Sequence, residues 1–436
     1  MHEIPIPKQI EPRYLPRSKG AFLIPAGMVA VGLIAFLILL GSNPDRAWQA
    51  YVSNWLFFTS VALGSLILCA VTVITKARWN WSVRRISLSF GTFLPFSFLL
   101  LVPMLFVLRE NYFPWIEYMA TDEIVQRKAA YLNIPFLVIR NAVGALVLFS
   151  MALLFMYRAL RPDLGPDREA EEGGDAGRAS WRARLGGNWL GQAEEEARSW
   201  ASLKVLAPAF VMVYAVVMSI FVIDWAMSLE PHWFSTMLPG WFFMGAFWSG
   251  FLATALAAVL LRRSEPYLVE HVGPLQFHDL GKGSFAFSIF WTYLFWSQFI
   301  VIWYGKLVWE QEWIIHRSGP EWGPLSLLTI FLCFVVPFVG LIGRGPKMLP
   351  GWLGGVAALA LIGLWLERFL LIAPSLHEAG TPTITLWEPL IAIGFLGIFA
   401  GGARWFLSTF PVIQVWQPKP EPEMMEAELP VVTQAG

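Results

Sequence analysis

Charge is what this 436-residue chain has least of. Only 14% of its residues are Asp, Glu, Lys or Arg, against roughly 25% in an ordinary soluble domain, and that deficit excludes most soluble folds. A content of 56% hydrophobic and 15% aromatic residues excludes a disordered chain. The 31 basic residues are cancelled by 31 acidic ones, which argues against a nucleic-acid binder. Cysteine is scarcer still. Cys69 and Cys333 lie far apart in apolar runs, so no disulfide framework and no Cys-ligated metal or iron–sulfur site can be assembled from this chain. The absence of a Cys-x-x-Cys-His run excludes covalent c-type haem. The six histidines, His2, His232, His271, His278, His316 and His377, fall at the ends of apolar runs or between them, a poor arrangement for paired b-haem ligands. The chain is therefore expected to carry no redox centre of its own.

Long charge-free runs are what it has instead. Crossing a hydrocarbon core of about 30 Å takes about 20 helical residues. Eight runs qualify, at 21–40, 48–75, 86–108, 205–223, 233–261, 283–305, 322–343 and 348–366. Two weaker ones, 131–157 interrupted by Arg140 and 383–403 with Glu388 near its start, bring the total to ten. The first run lacks a small-residue cleavage site and is expected to stay as an anchor. With the N-terminus inside, the loops on that side collect 23 Lys and Arg against 7 on the other, and the positive-inside rule then puts both termini in the cytoplasm.

The expected fold is an all-α polytopic membrane protein. A cytoplasmic segment 1–20 leads into a ten-helix membrane domain over 21–404, and a cytoplasmic tail occupies 405–436. Residues 158–204, with 8 basic and 9 acidic side chains, are expected to form a solvated linker between helices four and five. Its Gly-rich part 165–187 should be flexible, and 185–200 should be an amphipathic surface helix. The Pro- and Glu-rich tail after Trp416 is expected to be disordered or draped on a partner.

Ionisable groups inside the membrane are costly, so each is a functional candidate, with structural pairing or snorkelling as the plain alternative. Arg140 sits about ten residues into the fourth run and should pair with a carboxylate on a neighbouring helix. Asp224 and Ser228 share one face near the end of the fifth, and Glu230 and His232 follow at the outer mouth; together they could relay protons through water, or merely cap the helix before Pro231. Adjacent helical residues point about 100° apart, so Glu367 is expected to face inward and Arg368 to snorkel outward. Ser297 and Gln298 are expected to make helix–helix hydrogen bonds. Asp279 reads as an N-cap of the seventh helix, with a proton-entry role as the sharper reading, and Lys282 as a snorkelling side chain. The 23 Trp and 10 Tyr read as interfacial belts.

The run His278-Asp279-Leu280-Gly281-Lys282, with Phe285, Phe290-Trp291, Ser297-Gln298 and Trp303-Tyr304 after it, resembles a signature of the ActF-type subunit of alternative complex III, among the NrfD-like, polysulfide-reductase-type membrane proteins. Ser228 to Thr236 agrees with it, as do Trp115, Lys128, Tyr131-Leu132-Asn133 and Arg140. After Tyr304 the sequence departs: Gly305-Lys306-Leu307-Val308-Trp309-Glu310 stands where the family has Asn, Leu, Pro and paired Glu.

The resemblance implies two four-helix bundles, helices two to five and six to nine, flanked by helices one and ten. It implies a quinol:cytochrome c (or other periplasmic acceptor) oxidoreductase in the bacterial inner membrane. The expected partners are a homologous ten-helix subunit, an iron–sulfur subunit and multihaem c-type cytochrome subunits, which would hold the haem c and iron–sulfur clusters. Menaquinol or another quinol would bind nearby. The leading expectation is a subunit without its own redox centre that anchors the assembly in lipid, with Arg140, Asp224, Ser228, Glu230, His232 and Glu367 as a proton path. The alternatives are a quinol-binding subunit in its own right, a secondary transporter, for which no internal repeat speaks, and a passive anchor.

Overall fold

The computed structural model describes residues 6–7, 10–107, 112–165, 176–377 and 382–417. The chain is 80% helical, with no strand among the described residues. Ten helices are long and apolar enough to cross a membrane: α1 (Gly20–Ser42), α2 (Pro44–Ile74), α3 (Arg84–Phe106), α4 (Ile134–Asp163), α5 (Gln192–Leu229), α6 (Met237–Ser264), α7 (Pro274–Gly305), α8 (Gly323–Leu341), α9 (Pro350–Leu376) and α10 (Trp387–Thr409). Local chemistry sets several starts. Asn43 caps α2 by accepting from Arg46 N at 3.0 Å, with Pro44 at the first helical position, and Asn133 caps α4 by accepting from Phe136 N at 2.9 Å, each side-chain oxygen satisfying an N–H that the helix leaves free. Several helices run past their charge-free cores. The hydrocarbon crossing limits charge but does not end a helix, so α5 begins at Gln192 and α7 at Pro274.

Helices α2 to α5 pack on one another, as do α6 to α9, and α2 crosses α6 where the two groups meet. That crossing is close because it has no side chains in the way. A Cβ on Gly64 would lie 1.9 Å from Ala246 O, and one on Gly250 would lie 2.3 Å from the Gly64 carbonyl carbon. Outside these eight, α1 lies along α10 through a second glycine contact, Gly32 on Gly394. Small residues at such crossings let backbones approach in lipid, where the hydrophobic effect cannot drive helices together. In α8 the π-helical turn Phe331–Val335 precedes Pro337, which has no backbone N–H to donate to the preceding turn.

The first and last described segments of the chain meet at one end of the bundle. Leu15 N donates to Leu407 O at 3.0 Å, and Val412 N to Arg13 O at 2.8 Å. An even number of spans requires this arrangement. We call this the terminal end and the opposite one the far end.

The stretch between α4 and α5 departs from a solvated linker. Arg161 and Glu195 form a buried pair at 2.8 Å, and Arg161 also donates to Leu185 O, Gly187 O and Asn188 O. Residues 185–200 do not form a separate surface helix: the helix Ala176–Leu185 ends at their first residue, and Gln192 onward is the protruding start of α5. A guanidinium that gathers carbonyls as well as a carboxylate holds this segment against the bundle. Arg84 and Arg85, counted in the sequence as loop charges, are buried at the start of α3. Arg85 pairs with Asp163, which also accepts from Trp416 N at 3.1 Å and so ties the segment after α10 to α4. Asp279 lies five residues inside α7 and is not its N-cap. Gly273 takes that place, its N–H donating to Gln276 Oε1 at 3.0 Å. The expected disorder of the tail beyond 417, much of the Gly-rich part at 166–175, and Lys8, Arg109, Arg168 and Lys419 of the charge count lie outside the described residues.

Candidate functional site

Apart from the buried pairs at the terminal end, the charges singled out in the sequence lie toward the far end in two separate groups. The first joins α4 to α5. Arg140 sits seven residues into α4, shallower than the sequence run suggested because the helix starts at Ile134. Its Nε and Nη2 donate to the two oxygens of Asp224 at 2.8 and 2.6 Å, and its Nη1 donates to Tyr131 O at 2.7 Å. The carboxylate on a neighbouring helix that the sequence led us to expect is thus Asp224. Asp224 is fully buried and also accepts from Asn141 Nδ2 at 2.6 Å and Tyr131 Oη at 3.0 Å. Asn141 is itself oriented by Trp225 Nε1, which donates to its Oδ1 at 2.9 Å. The Arg140 guanidinium lies 3.8 Å over the Tyr131 ring. Both ions are satisfied on every side that the geometry allows, the condition under which a buried pair is tolerated.

The remaining sequence candidates near Asp224 do not continue this group. Ser228 Oγ donates to the Asp224 backbone carbonyl at 2.6 Å, not to its carboxylate. His232 Nε2 lies 2.7 Å from Asp122 Oδ2, on the loop before α4. Glu230 accepts from Arg317 Nη1 at 3.0 Å and from Ser375 Oγ at 2.5 Å. Arg317 belongs to the short helix Val308–Ser318 and also donates to Leu370 O and Leu371 O. Glu230 therefore fastens the far-end loop of the first group of helices to α9 in the second. Burial lowers the Arg317 pKa, against the opposing pull of Glu230. Asp122 is held below its usual carboxylate range by the Val125 N–H and then by His232.

The second group lies in α9. Glu367 and Arg368 are both buried and pair directly, which corrects the expectation that Arg368 snorkels outward. The side chains leave the helix about 100° apart, but a guanidinium on a long stem can fold back onto the neighbouring carboxylate. Arg368 Nη2 also donates to Phe242 O at 3.1 Å, while Trp291 Nε1 donates to Glu367 Oε2 at 3.3 Å.

Two cavities lead to these groups. One, of about 350 Å³, opens at the far end between Lys128, Tyr131, Ser228 and Phe234. Two of its lining residues are bonded to Asp224, Tyr131 at the carboxylate and Ser228 at the backbone carbonyl. The other, of about 380 Å³, is an aromatic crevice among α6, α7, α8 and α9. Trp241, Trp291, Phe295 and Trp313 line it, and Gln298 and Glu367 are among its few polar groups. Gln298 is buried and its Oε1 has no hydrogen-bond partner, so the helix–helix bond expected of it is not formed through that oxygen.

The opening residues of the seventh-helix motif, His278, Asp279 and Lys282, are at the other end. Asp279 and Lys282 pair at 2.6 Å, and a Cβ at Gly281 would lie 2.9 Å from the Lys347 side chain, so that glycine admits the turn before α9. His278 and Ser297 are half-buried, and Trp303 is exposed on the lipid side. Sequence reasoning missed Asn141, Asp122, Arg317 and Trp241. Only Arg317 carried a signal, as one of two basic residues in the outer connection between α7 and α8. No three His, Cys, Asp or Glu side chains come together as a metal site among the described residues. No protein-family model matches the chain, and no curated protein matches it.

Proposed function

We propose that this chain is a membrane subunit, without a redox centre of its own, of a quinol-oxidising complex of the alternative complex III type. In this reading it sits in the bacterial inner membrane with both termini in the cytoplasm, which makes the far end periplasmic. Iron–sulfur and multihaem c-type subunits carry the electrons from quinol to a periplasmic acceptor, and a homologous ten-helix subunit lies alongside. The observation that carries the reading is the seventh-helix motif from His278 to Trp303 set within two packed groups of four helices flanked by α1 and α10, the arrangement that the resemblance implies.

Asp224, Glu230, His232 and Glu367 each have their own side-chain partners, so no direct chain of hydrogen bonds joins them and a path between them would run through water. Asp224 beneath its basic vestibule and Glu367 beneath its aromatic crevice are two separate carboxylates that could exchange protons toward the far end. Deleting this chain tests the subunit role. Membranes lacking it should lose quinol-dependent reduction of the periplasmic acceptor, whereas undiminished reduction would rule out a necessary part in that reaction.

A further inference from the structure

A groove of about 710 Å³ runs between α10 and a wall made by α2, α3, α6 and α9. Leu260, Ile362, Ile393 and Leu396 line it and are 36% to 53% exposed, so its side is open to lipid. On α10 the lining runs from Pro389 to Arg404, fifteen positions that at a rise of 1.5 Å make about 22 Å. That exceeds the roughly 15 Å that is half a hydrocarbon core, so the groove has length for an extended acyl chain. One charged residue stands in this apolar lining, at the terminal end. Arg404 is half-buried, and of its five N–H donors only one makes a hydrogen bond among the described residues, Nη2 to Pro16 O at 3.3 Å. Glu265, just past α6, is near enough for Arg404 to favour its ionised form but does not pair with it. Arg263 follows Leu260 by three residues on the same face of α6, and it too has no ion-pair partner among the described residues. Its Nη2 lies 3.7 Å from where a Cβ on Gly351 of α9 would be, which places it at the terminal end of the α6–α9 wall.

We propose that this groove binds an anionic diacyl phospholipid of the leaflet at the terminal end. Its phosphate takes the unused Arg404 donors, Arg263 adds positive charge on the facing wall, and its acyl chains lie along α10 toward Pro389. Basic pockets between membrane helices hold anionic headgroups, and a guanidinium can give a phosphate two parallel hydrogen bonds. The charge decides between occupants. A partner's helix would have to bring a carboxylate to this level, whereas every phospholipid of that leaflet carries its phosphate there. The site does not rest on the proposed function.

The test strips the full-length chain of lipid in detergent, returns phosphatidylglycerol or phosphatidylcholine of matched acyl chains, and measures retention by native mass spectrometry. The chain should hold phosphatidylglycerol about tenfold more tightly, the worth of one charge-assisted hydrogen bond. Arg404→Gln should bring the two lipids to within about twofold, and Ala400→Phe, which fills the groove, should release both. Phosphatidylglycerol with a photoreactive acyl chain should label peptides containing Leu260, Ile362 or Leu396, and its chain-free headgroup, glycerophosphoglycerol, should not compete. If a variant does not fold, that labelling and the wild-type preference still decide. Equal retention of the two lipids by the wild-type chain, a preference that survives in folded Arg404→Gln, labelling confined to helices that do not line the groove, or competition by the free headgroup would overturn the site. A cross-linker at position 393 that captures a polypeptide rather than lipid in native membranes would also overturn it, in favour of a partner's helix.

Discussion

Asp224→Asn should be far more damaging than its one-atom change suggests. Arg140 would keep its carbonyl bond to Tyr131 but lose the charge that two of its nitrogens address at 2.8 and 2.6 Å, in a site where neither side chain is more than 6% exposed. Stranding one member of a buried pair costs about 3–5 kcal/mol, and Arg140→Met should cost about the same by stranding the carboxylate. The double variant should cost no more than either single, because it removes both charges while Asn keeps an oxygen for Asn141 and Tyr131. That corresponds to a coupling of about 3 kcal/mol or more. Tyr131→Phe should cost less, about 1.5 kcal/mol for one bond to a charged group. The exposed pair Arg127–Glu123 serves as the control and should couple by under about 0.5 kcal/mol. Unfolding of the purified chain in bicelles by increasing SDS, followed by tryptophan fluorescence, measures all five. Single costs at Arg140 and Asp224 that add in the double to within about 0.5 kcal/mol would refute the reasoning, since independent sites add.

The α2–α6 crossing makes a second prediction. Gly64→Leu should abolish the monodisperse peak in detergent chromatography, because its Cβ would fall 1.9 Å from Ala246 O, whereas Gly27→Leu, with nothing within 4 Å, should leave it intact; equal profiles would count against the packing. Glu230→Gln should loosen the far-end helix Val308–Ser318 by weakening its hold on Arg317, read as faster cysteine labelling at position 314 from the far side; an unchanged rate would show that Ser375 and the α9 carbonyls suffice. Acid should open the turn that Asp122 caps. Its pKa is lowered in the folded chain, so its contribution is present above the unfolded value of about 3.9 and lost as pH falls through the folded one. Hydrogen exchange at Ile124 and Val125 should therefore quicken, relative to its intrinsic rate, only at the acid end, and Asp122→Asn should exchange faster at neutral pH.

The scarcity of charge made the ten spans legible, since each hydrocarbon crossing leaves a run without it. The presence of a partner for Arg140 was also legible, because a guanidinium that deep cannot be left alone. What escaped the sequence depends on distances between segments far apart in the chain. His232 follows Asp224 closely enough to suggest a relay, yet its partner Asp122 comes from 110 positions earlier. Glu388 looked like a flaw in a weak span, but it is buried and holds Arg46 of α2 at 2.6 Å. The aromatic crevice was hidden by abundance: with 23 tryptophans, those lining it read as an interfacial belt, and only the placement of Trp241 and Gln298 around one cavity sets them apart.

The central claim, that this chain works inside a quinol-oxidising assembly, is tested most directly by affinity purification of the full-length chain from gently solubilised native membranes. The account predicts that multihaem c-type cytochrome, iron–sulfur protein and a second ten-helix subunit travel with it in fixed ratio, seen as haem absorbance, iron content and mass-spectrometric identity. A chain that purifies alone, free of haem and iron, from membranes that retain full quinol-oxidising activity would contradict it.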